Sequence, residues 1–498
     1  MNRIPSYVSF LAAAVFVIVL GAPFVSAQTS RGTIAGTVSD PNGAVVSGAN
    51  VEIVNKATNV SRTSATNSSG YYRFDAVELG EYDVKVAATG FKTLTTTSVK
   101  VSANLTTDID ARLEIGAESA SVEVTADAEV LQTTEPVRGG NFSTRQVQNL
   151  PLAGLNPYDL GRLLPGVVSP SGSSTFGNDS QFSVNGQRPR ANNYLIDGTE
   201  NNDISVTGPA SQINNEDAVQ EVSLQTGLFS AEFGRAGGGV FNLVTKAGTN
   251  DFHGSLRWLY FSQKFNALTN GQRLAGLTRP AVFNENVFSG TIGGPLPLPR
   301  FGDKGGPYFT SGRDKTFFFF GLQYDRFRTS ASFGPFRVPT VNGVNQLRAL
   351  FPAGTNARVD LYLDAIGSAR GLTTLQTIAL GTGPDGFGNV VPRGSVETGL
   401  IGFPASSQTN VRQYVFRIDH RINDRHQIGI RYLDDDTVVP NAAMNSPGFT
   451  RDFTGNSRNL LFTHTWVIKS NITNELRVSP YGLINFDFPI SPDAPALV

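Results

Sequence analysis

The chain has 498 residues, a formal net charge of −1 and no cysteine. That length implies two to four domains. The even balance, 40 Lys plus Arg against 41 Asp plus Glu, argues against a nucleic-acid binder, which concentrates basic charge on one face; the lack of cysteine removes disulfides, thiolate metal sites and cysteine nucleophiles together.

Glycine, asparagine, threonine, serine and phenylalanine are abundant, charged residues are few and methionine is scarce, a composition that leans to β-structure. Arg3 gives the amino terminus a positive start, Val8 to Leu20 is an apolar run, and Val25-Ser26-Ala27 ends it in small residues. This is the pattern of a secretory signal peptide, residues 1–27, cleaved after Ala27. The run is shorter than the ~20 residues a spanning helix needs. No later stretch is apolar for long enough either, so residence in a membrane requires a barrel.

From Arg31 to Ile115 short alternating runs are separated by turn chemistry. Ile34 and Val38 lead to Asp40-Pro41-Asn42-Gly43; Val51 and Ile53 follow; Ser68-Ser69-Gly70 turns into Tyr72 and Phe74; Tyr82, Val84 and Val86 run into Gly90-Phe91. Strands this short at this spacing predict a β-sandwich, assigned to residues 28–116. Tyr72 and Tyr82 fall on alternating positions and read as core rather than as platforms for a sugar. Residues 117–136 form an extended linker. Between Val147 and Leu164 the leucine spacing, broken by prolines, fits short helical turns better than strands.

Residues 137–250 read as a further unit. Asn185-Gly186 is a dipeptide favoured in two-residue hairpin turns, where both central residues need positive φ, and Phe182 and Val184 alternate on the approach. A short helical turn is expected around Glu216 to Glu221, then alternating Val222 and Leu224. Gly237-Gly238-Gly239 beside the apolar run Phe241 to Lys246 indicates backbone packed tightly against another surface.

From Asp251 onward the alternation becomes apolar-out and polar-in, as a barrel strand in lipid requires. Phe252, Leu256, Trp258 and Tyr260 oppose His253, Ser255 and Arg257; Phe318, Phe320, Leu322 and Tyr324 oppose Gly321, Gln323 and Asp325; Tyr414, Phe416 and Ile418 oppose Gln413, Arg417 and Asp419. After a tight turn at Asn423-Asp424, Ile428, Ile430 and Tyr432 oppose Gln427, Gly429 and Arg431. Phe462, Trp466 and Ile468 then oppose Thr463, Thr465 and Lys469, and Leu476 and Val478 oppose Glu475 and Arg477. Thr329 to Thr409 and Asp434 to Arg458 read as long loops, the first with a short helix around Leu347 to Ala369. At ~10 residues a strand, the segment 251–498 supplies roughly six to eight strands, short of the about 22 of a plugged transporter.

The ordered run SVNGQRP, NNYLIDG, AVQEV, SAEFGRAGGGVFNLVTKAGTNDFHGSL, GGPL and KTFFFFGLQYDR resembles the plug domain and first barrel strands of TonB-dependent outer-membrane transporters of the Oar-like group. The segment GTVSDPNGAVVSGANVEIVN with TNSSGYYRFDAVELGEYDVKVAATGFK resembles the carboxypeptidase-regulatory-like domain that precedes the plug in that group, a carbohydrate-binding-like fold. The resemblance implies a mainly β chain: an N-terminal Ig-like sandwich, an α+β plug and an incomplete antiparallel transmembrane β-barrel, truncated at its C-terminus. It implies an outer-membrane location, an unidentified ligand, and TonB as partner, energised by ExbB and ExbD.

The resemblance places a TonB-box-like strand at Ser121, Val122, Glu123, Val124 and Thr125, where strand addition needs an accessible edge more than particular side chains; a last sandwich strand followed by linker fits the same residues. Arg188, Arg190, Asn192, Asn193 and Asp197 are nominated as plug contacts to ligand, the alternative being that they hydrogen-bond the plug to the wall. Glu232 and Arg235 are expected to make an ion pair within the plug or to the wall. The module's name invites a metallocarboxypeptidase reading, but His253, His420, His426 and His464 lack neighbours at zinc-ligand spacing. No enzyme, metal or cofactor is therefore expected. A surface adhesion or carbohydrate-binding protein anchored by the barrel is the competing reading.

Overall fold

In the computed structural model, residues 30–487 are described apart from 118–119, 126–137, 153–154, 170–180, 204–206, 231, 275, 281, 300–308, 310, 367–371, 385–389, 393, 447–448, 470–471 and 481–483. The expected signal peptide and its cleavage point lie outside the described residues, as does much of the linker.

The first unit contains β1 (Gly32–Ser39), β2 (Asn50–Asn55), β3 (Ser61–Ala65), β4 (Tyr71–Val77), β5 (Gly80–Ala87), β6 (Thr93–Val101), β7 (Thr106–Asp108), β8 (Ala111–Arg112) and β9 (Ser121–Thr125). They form two sheets, one ordered β4-β1-β7 with β8 also on β1, the other β3-β2-β5-β6-β9. Alternation dictates this: Ile34, Val51, Ile53, Phe74, Val84, Val86, Val99 and Val101 turn inward to a shared core, while their neighbours meet solvent. Tyr72 and Tyr82 are 1% and 5% exposed. Each hydroxyl donates to a main-chain oxygen, Ile109 at 2.7 Å and Glu78 at 2.9 Å, so both tyrosines are core, with their polar tips satisfied. The Asp40 to Gly43 turn forms as its residues dictate, with Asp40 Oδ1 accepting from Asn42 and Ala44 N–H at 2.8 Å and Gly43 at φ 87°.

The second unit, the plug, contains β10 (Arg138–Ser143), α1 (Thr144–Asn149), β11 (Val167–Val168), β12 (Ser183–Val184), β13 (Asn193–Ile196), β14 (Thr199–Glu200), β15 (Val219–Gly227) and β16 (Val240–Thr245). Short 3-10 turns cover Pro157–Leu163, Pro189–Ala191 and Glu216–Ala218. Its main sheet is ordered β10-β15-β16-β13-β14, with β13 and β16 parallel. Every residue of β13 and of β16 is buried, because the sheet is covered on both faces. Asn185 and Gly186 take φ 51° and 77° as the turn requires. The hairpin is shorter than expected, a single bridge between Val184 and Gln187, because Pro189 directs the chain into a 3-10 turn. The helical turn expected through Glu221 ends at Ala218, where β15 begins.

The third unit is one antiparallel wall built from β17 (His253–Ser262), α2 (Asn270–Leu274), β18 (Phe283–Pro295), β19 (Thr316–Pro339), α3 (Val341–Leu350), α4 (Ala357–Ile366), β20 (Thr373–Ala379), β21 (Thr382–Pro384), β22 (Val390–Pro392), β23 (Ser395–Asn423), β24 (His426–Ser446), β25 (Phe449–Lys469), β26 (Ile472–Val478) and β27 (Ile484–Asp487). The order is β17-β18-β19-β23-β24-β25-β26, with β20 also on β23 and β27 on β25. Among the described residues the sheet is not closed, since β17 and β26 each have one neighbour along it.

The strands run well past the expected boundaries. The β19–β23 ladder continues beyond Thr329 to Pro339 paired with Thr398, and β24 and β25 pair through the stretch read as a loop from Asp434. Main-chain pairing needs only a neighbour, whereas alternation of side chains is required only where one face meets apolar surroundings. Sequence alternation therefore marked the middle of these strands and not their ends. Alternation does not mark β18 for a related reason: its Gly290, Gly293, Gly294 and Pro295 carry little apolar periodicity. The helix expected around Leu347 to Ala369 is two helices, α3 and α4; Thr340 caps the first by accepting from Gly343 N–H at 2.9 Å.

Burial across the wall is inverted relative to a water-soluble protein. Leu256, Trp258, Phe288, Ile430 and Leu476 are exposed, whereas Ser289, Gln323, Gln413, Arg431 and Thr465 are buried. The polar face is covered by the plug. Such an exposed apolar band on a continuous sheet suits a hydrocarbon surrounding.

Candidate functional site

The plug meets the wall in two tiers. In the first, the segment 211–217 runs along the polar face of the wall. Gln212 N–H donates to Asp435 Oδ2 at 2.9 Å, Asn214 N–H to Gln413 Oε1 at 2.9 Å and Asn215 Nδ2 to Leu322 O at 3.1 Å. Arg257 and Glu216 form an ion pair at 2.7 Å, and Ser255 donates to Asp217 at 2.9 Å. Beside these polar bonds Phe319, Val415 and Leu433 of the wall join the buried apolar cluster of the plug.

The second tier centres on Asp197. Asp197 and Gly198 take φ 50° and 70°, forming the turn between β13 and β14, and the aspartate projects from it to the wall. Its carboxylate accepts from Thr245 N–H at 2.8 Å and Thr245 Oγ1 at 2.9 Å. It also pairs with Arg431 at 3.0 Å, where Arg431 is 2% exposed. Arg477 donates to the Asp197 main-chain oxygen at 2.6 Å. Asp197 is thus placed between plug and wall. An Asp-Gly dipeptide after Leu195 and Ile196 is a hairpin signal in its own right.

Of the other nominated residues, Asn192 and Asn193 are buried and spend their amides inside the plug. Asn192 Nδ2 donates to Phe182 O at 2.7 Å and its Oδ1 accepts from Gly239 N–H at 2.9 Å; Asn193 Oδ1 accepts from Asn202 at 2.9 Å. Arg188 and Arg190 are exposed, on either side of Pro189. Arg235 makes an ion pair within the plug, with Glu200 of β14. The glycine run packs against the plug's own loop. Gly237 and Gly238 N–H both donate to Ala191 O at 2.9 and 3.0 Å, and a Cβ on Gly238 would lie 2.4 Å from Asn192 Oδ1. Gly238→Ala should therefore displace the amide that holds Gly239 and cost about 1–3 kcal/mol; a urea unfolding midpoint equal to that of the parent would refute this.

The sandwich joins the second tier, which sequence reading did not anticipate. Arg31 and Glu78 lie 2.5 Å apart; Arg31 also reaches Glu475 at 3.3 Å and bonds Thr465. Glu78 pairs with Arg417 at 3.5 Å, and Arg417 with Asp419 at 2.7 Å. Burial by itself raises the Glu78 carboxyl, but the guanidinium groups of Arg31, Arg417 and Arg477 hold it below the usual carboxylate range. Alternation places Arg417, Asp419, Arg431, Glu475 and Arg477 on the interior face of the wall; no periodicity marks Arg31 or Glu78 as their partners. Next to this cluster a cleft of about 190 Å³ opens between sandwich and wall, lined among others by Ile53, Arg62, Tyr82, Phe317, Arg425 and His426. Among the described residues no group of three or more acidic or histidine side chains is placed to hold a metal.

A separate contact ties sandwich to plug. Glu221 Oε1 accepts from Ala103 N–H at 2.7 Å and from Asn141 Nδ2 at 2.8 Å. Burial pushes its carboxyl above the ordinary value, against the pull of the Ala103 N–H, Ser102, Lys100 and Asn141. The folded state then holds a proton better than the unfolded chain. Its contribution is favourable below the ordinary value of about 4.3 and is lost as pH rises through the raised one. Glu221→Gln should flatten stability against pH across that window; an unchanged slope in denaturation at several pH values would count against it.

Ser121–Thr125 forms β9, which pairs in parallel with Thr93–Thr97 of β6 at the edge of the sandwich. Ser121, Glu123, Val124 and Thr125 are exposed and Val122 half-buried.

Comparison with known proteins gives three family matches. A model described as an outer membrane beta barrel domain matches residues 244–494, one described as a carboxypeptidase regulatory-like domain matches 33–114, and one described as a TonB-dependent receptor plug domain matches 133–240. The TonB-dependent transporter Oar of Myxococcus xanthus is 28% identical over 328 residues, 63% of this chain and 28% of that protein. The chain thus spans less than a third of the length of that relative. Among solved structures, the outer membrane transporter YddB from Escherichia coli is similar at TM-score 0.42 and 15% identity, over 68% of this chain and 38% of that one. A ferric enterobactin receptor mutant from Pseudomonas aeruginosa, in complex with enterobactin, is similar at TM-score 0.35 and 13% identity, over 70% and 46%.

Proposed function

The chain belongs to the outer membrane β-barrel family, and from that premise we infer that it forms part of a TonB-dependent receptor for energised uptake of a ligand across the outer membrane. The observation that carries this reading is the wall itself: a continuous sheet with an exposed apolar band outside, buried polar and charged side chains such as Gln323, Gln413 and Arg431 inside, and a plug bonded to that inner face. A signal peptide cleaved after Ala27 exports the chain, and lipid surrounds the band of Leu256, Trp258, Phe288 and Ile430. Arg188 and Arg190, exposed on the plug, meet the ligand, while Asn192, Asn193 and Asp197 hold the loop and the plug in place.

TonB, with ExbB and ExbD supplying energy, acts at Ser121–Thr125. The outer edge of β9 has no partner strand in its sheet among the described residues, so it can accept an added strand by main-chain pairing. Tension there unseats the plug by breaking its polar ties to the wall, while the paired ladders of the wall persist. No covalent step is assigned.

Binding of the purified periplasmic domain of TonB to the chain tests the reading. Deleting Ser121 to Asp127 should abolish binding; undiminished binding would move the coupling site elsewhere. In cells, uptake that ignores TonB, with adhesion lost on removing Gly32 to Ile115, would replace the transport reading by that of an anchored adhesion module.

A further inference from the structure

The charge cluster where the three units meet has a feature that a plug tied to a wall does not require: two wall arginines each hold the sandwich and the plug at once. Arg417 pairs with Glu78 of the sandwich at 3.5 Å and donates to Thr245 O of the plug at 3.2 Å. Arg477 donates to Ser30 Oγ, ahead of β1, at 3.3 Å and to Asp197 O of the plug at 2.6 Å. Arg31 of the sandwich reaches the same group through Glu475, which Arg477 also contacts at 3.0 Å. Four arginines (Arg31, Arg417, Arg431, Arg477) thus face four carboxylates (Glu78, Asp197, Asp419, Glu475) across the joint.

We propose that the sandwich is a latch on the plug: its docking through Arg31 and Glu78 and the seating of the plug through Asp197 and Thr245 are one linked equilibrium, transmitted by Arg417 and Arg477. A buried guanidinium that loses one carboxylate is left with charge that its remaining partners must compensate. It therefore reorients, and its bond to the plug carbonyl goes with it. By linkage, whatever releases the sandwich loosens the plug, and the reverse. The position of β9 gives the latch a mechanical input. Because Ser121–Thr125 pairs with β6 over five residue pairs, a pull on that strand loads the sheet β3-β2-β5-β6-β9, and the shared core passes the load to the facing sheet, where Arg31 precedes β1 and Glu78 follows β4. The inference rests on the transport reading only in taking plug release as the functional event.

Amide hydrogen exchange in the full chain tests it without any ligand. Ala103 and Asn250 N–H report docking, since they donate to Glu221 of the plug and to Ala57 O of the sandwich; Gln212 and Asn214 N–H report plug seating, since they donate to Asp435 and Gln413 of the wall. Glu78→Gln should raise exchange at all four amides by roughly tenfold or more, and Arg31→Gln should do the same from the other side of the pair. Glu81→Gln, at an exposed carboxylate of the same unit, should change none. Val51 and Val84, each in the β2–β5 ladder of the sandwich, must exchange at the parent rate to show that it remains folded. If docking amides speed up while Gln212 and Asn214 do not, the sandwich is a passenger and the latch is refuted. If none changes, the cluster does not hold the sandwich and the proposal falls as well. Either result leaves the TonB-binding experiment, and the transport reading it tests, unaffected.

Discussion

Asp197→Ala is expected to unseat the plug, with a loss of about 3–5 kcal/mol, the cost of leaving one member of a buried ion pair without its partner. Arg431 is 2% exposed, and its carboxylate partner lies 3.0 Å away. Removing the carboxylate also strips Thr245 of the acceptor for both its N–H and its hydroxyl. Asp197→Asn separates the two effects, because the amide oxygen keeps a bond to Thr245 but carries no charge. If charge compensation dominates, the asparagine variant should lose most of what the alanine variant loses. Urea denaturation, with exchange of the Val240–Thr245 amides as a local monitor, reads both. Full retention of stability in Asp197→Ala would mean that water supplies what the carboxylate supplies, and the second tier would not be a tie.

The next largest effect is expected inside the plug. Phe241 is 1% exposed and stacks between Phe182 at 5.3 Å and Tyr194 at 4.9 Å. Tyr158 extends the group by an edge contact to Tyr194 at 5.6 Å. Phe241→Ala should cost about 3–5 kcal/mol, since it removes a buried ring and leaves a cavity that covered sheet faces cannot collapse into. Phe241→Leu should cost much less. The near-ultraviolet circular dichroism of the stacked rings and the urea midpoint should fall together in the alanine variant. A midpoint shift no larger than that of Phe241→Leu would show that the plug core repacks freely.

The periodic parts of the chain were legible before folding. Period-two alternation placed Val84, Val86, Val99 and Val101 in the sandwich core, and it separated outward Leu256 and Trp258 from inward Arg257. Turn chemistry identified Asp40 to Gly43 and Asn185-Gly186, because only a few residues tolerate those backbone angles. What the alternation could not supply was the length of β19, β23, β24 and β25, since main-chain pairing continues there without a regular alternation of apolar and polar residues to mark it. Asn192 and Asn193 look alike in sequence to any exposed polar pair. Only packing shows that their amides are consumed by Phe182, Gly239 and Asn202.

The amino-acid order alone settled the two faces of the segments that alternate, because alternation records, residue by residue, which side of a strand faces oil and which faces polar groups. It settled as well where the backbone can reverse. Which charges would meet was decided by the fold: Arg31 and Thr465 are 434 positions apart and Arg431 and Asp197 more than two hundred, and nothing local to either member of a pair names the other. Long-range ion pairs come into being only when strands distant in the chain are brought into register around a common interior, and so the joint between sandwich, plug and wall exists in the tertiary structure alone.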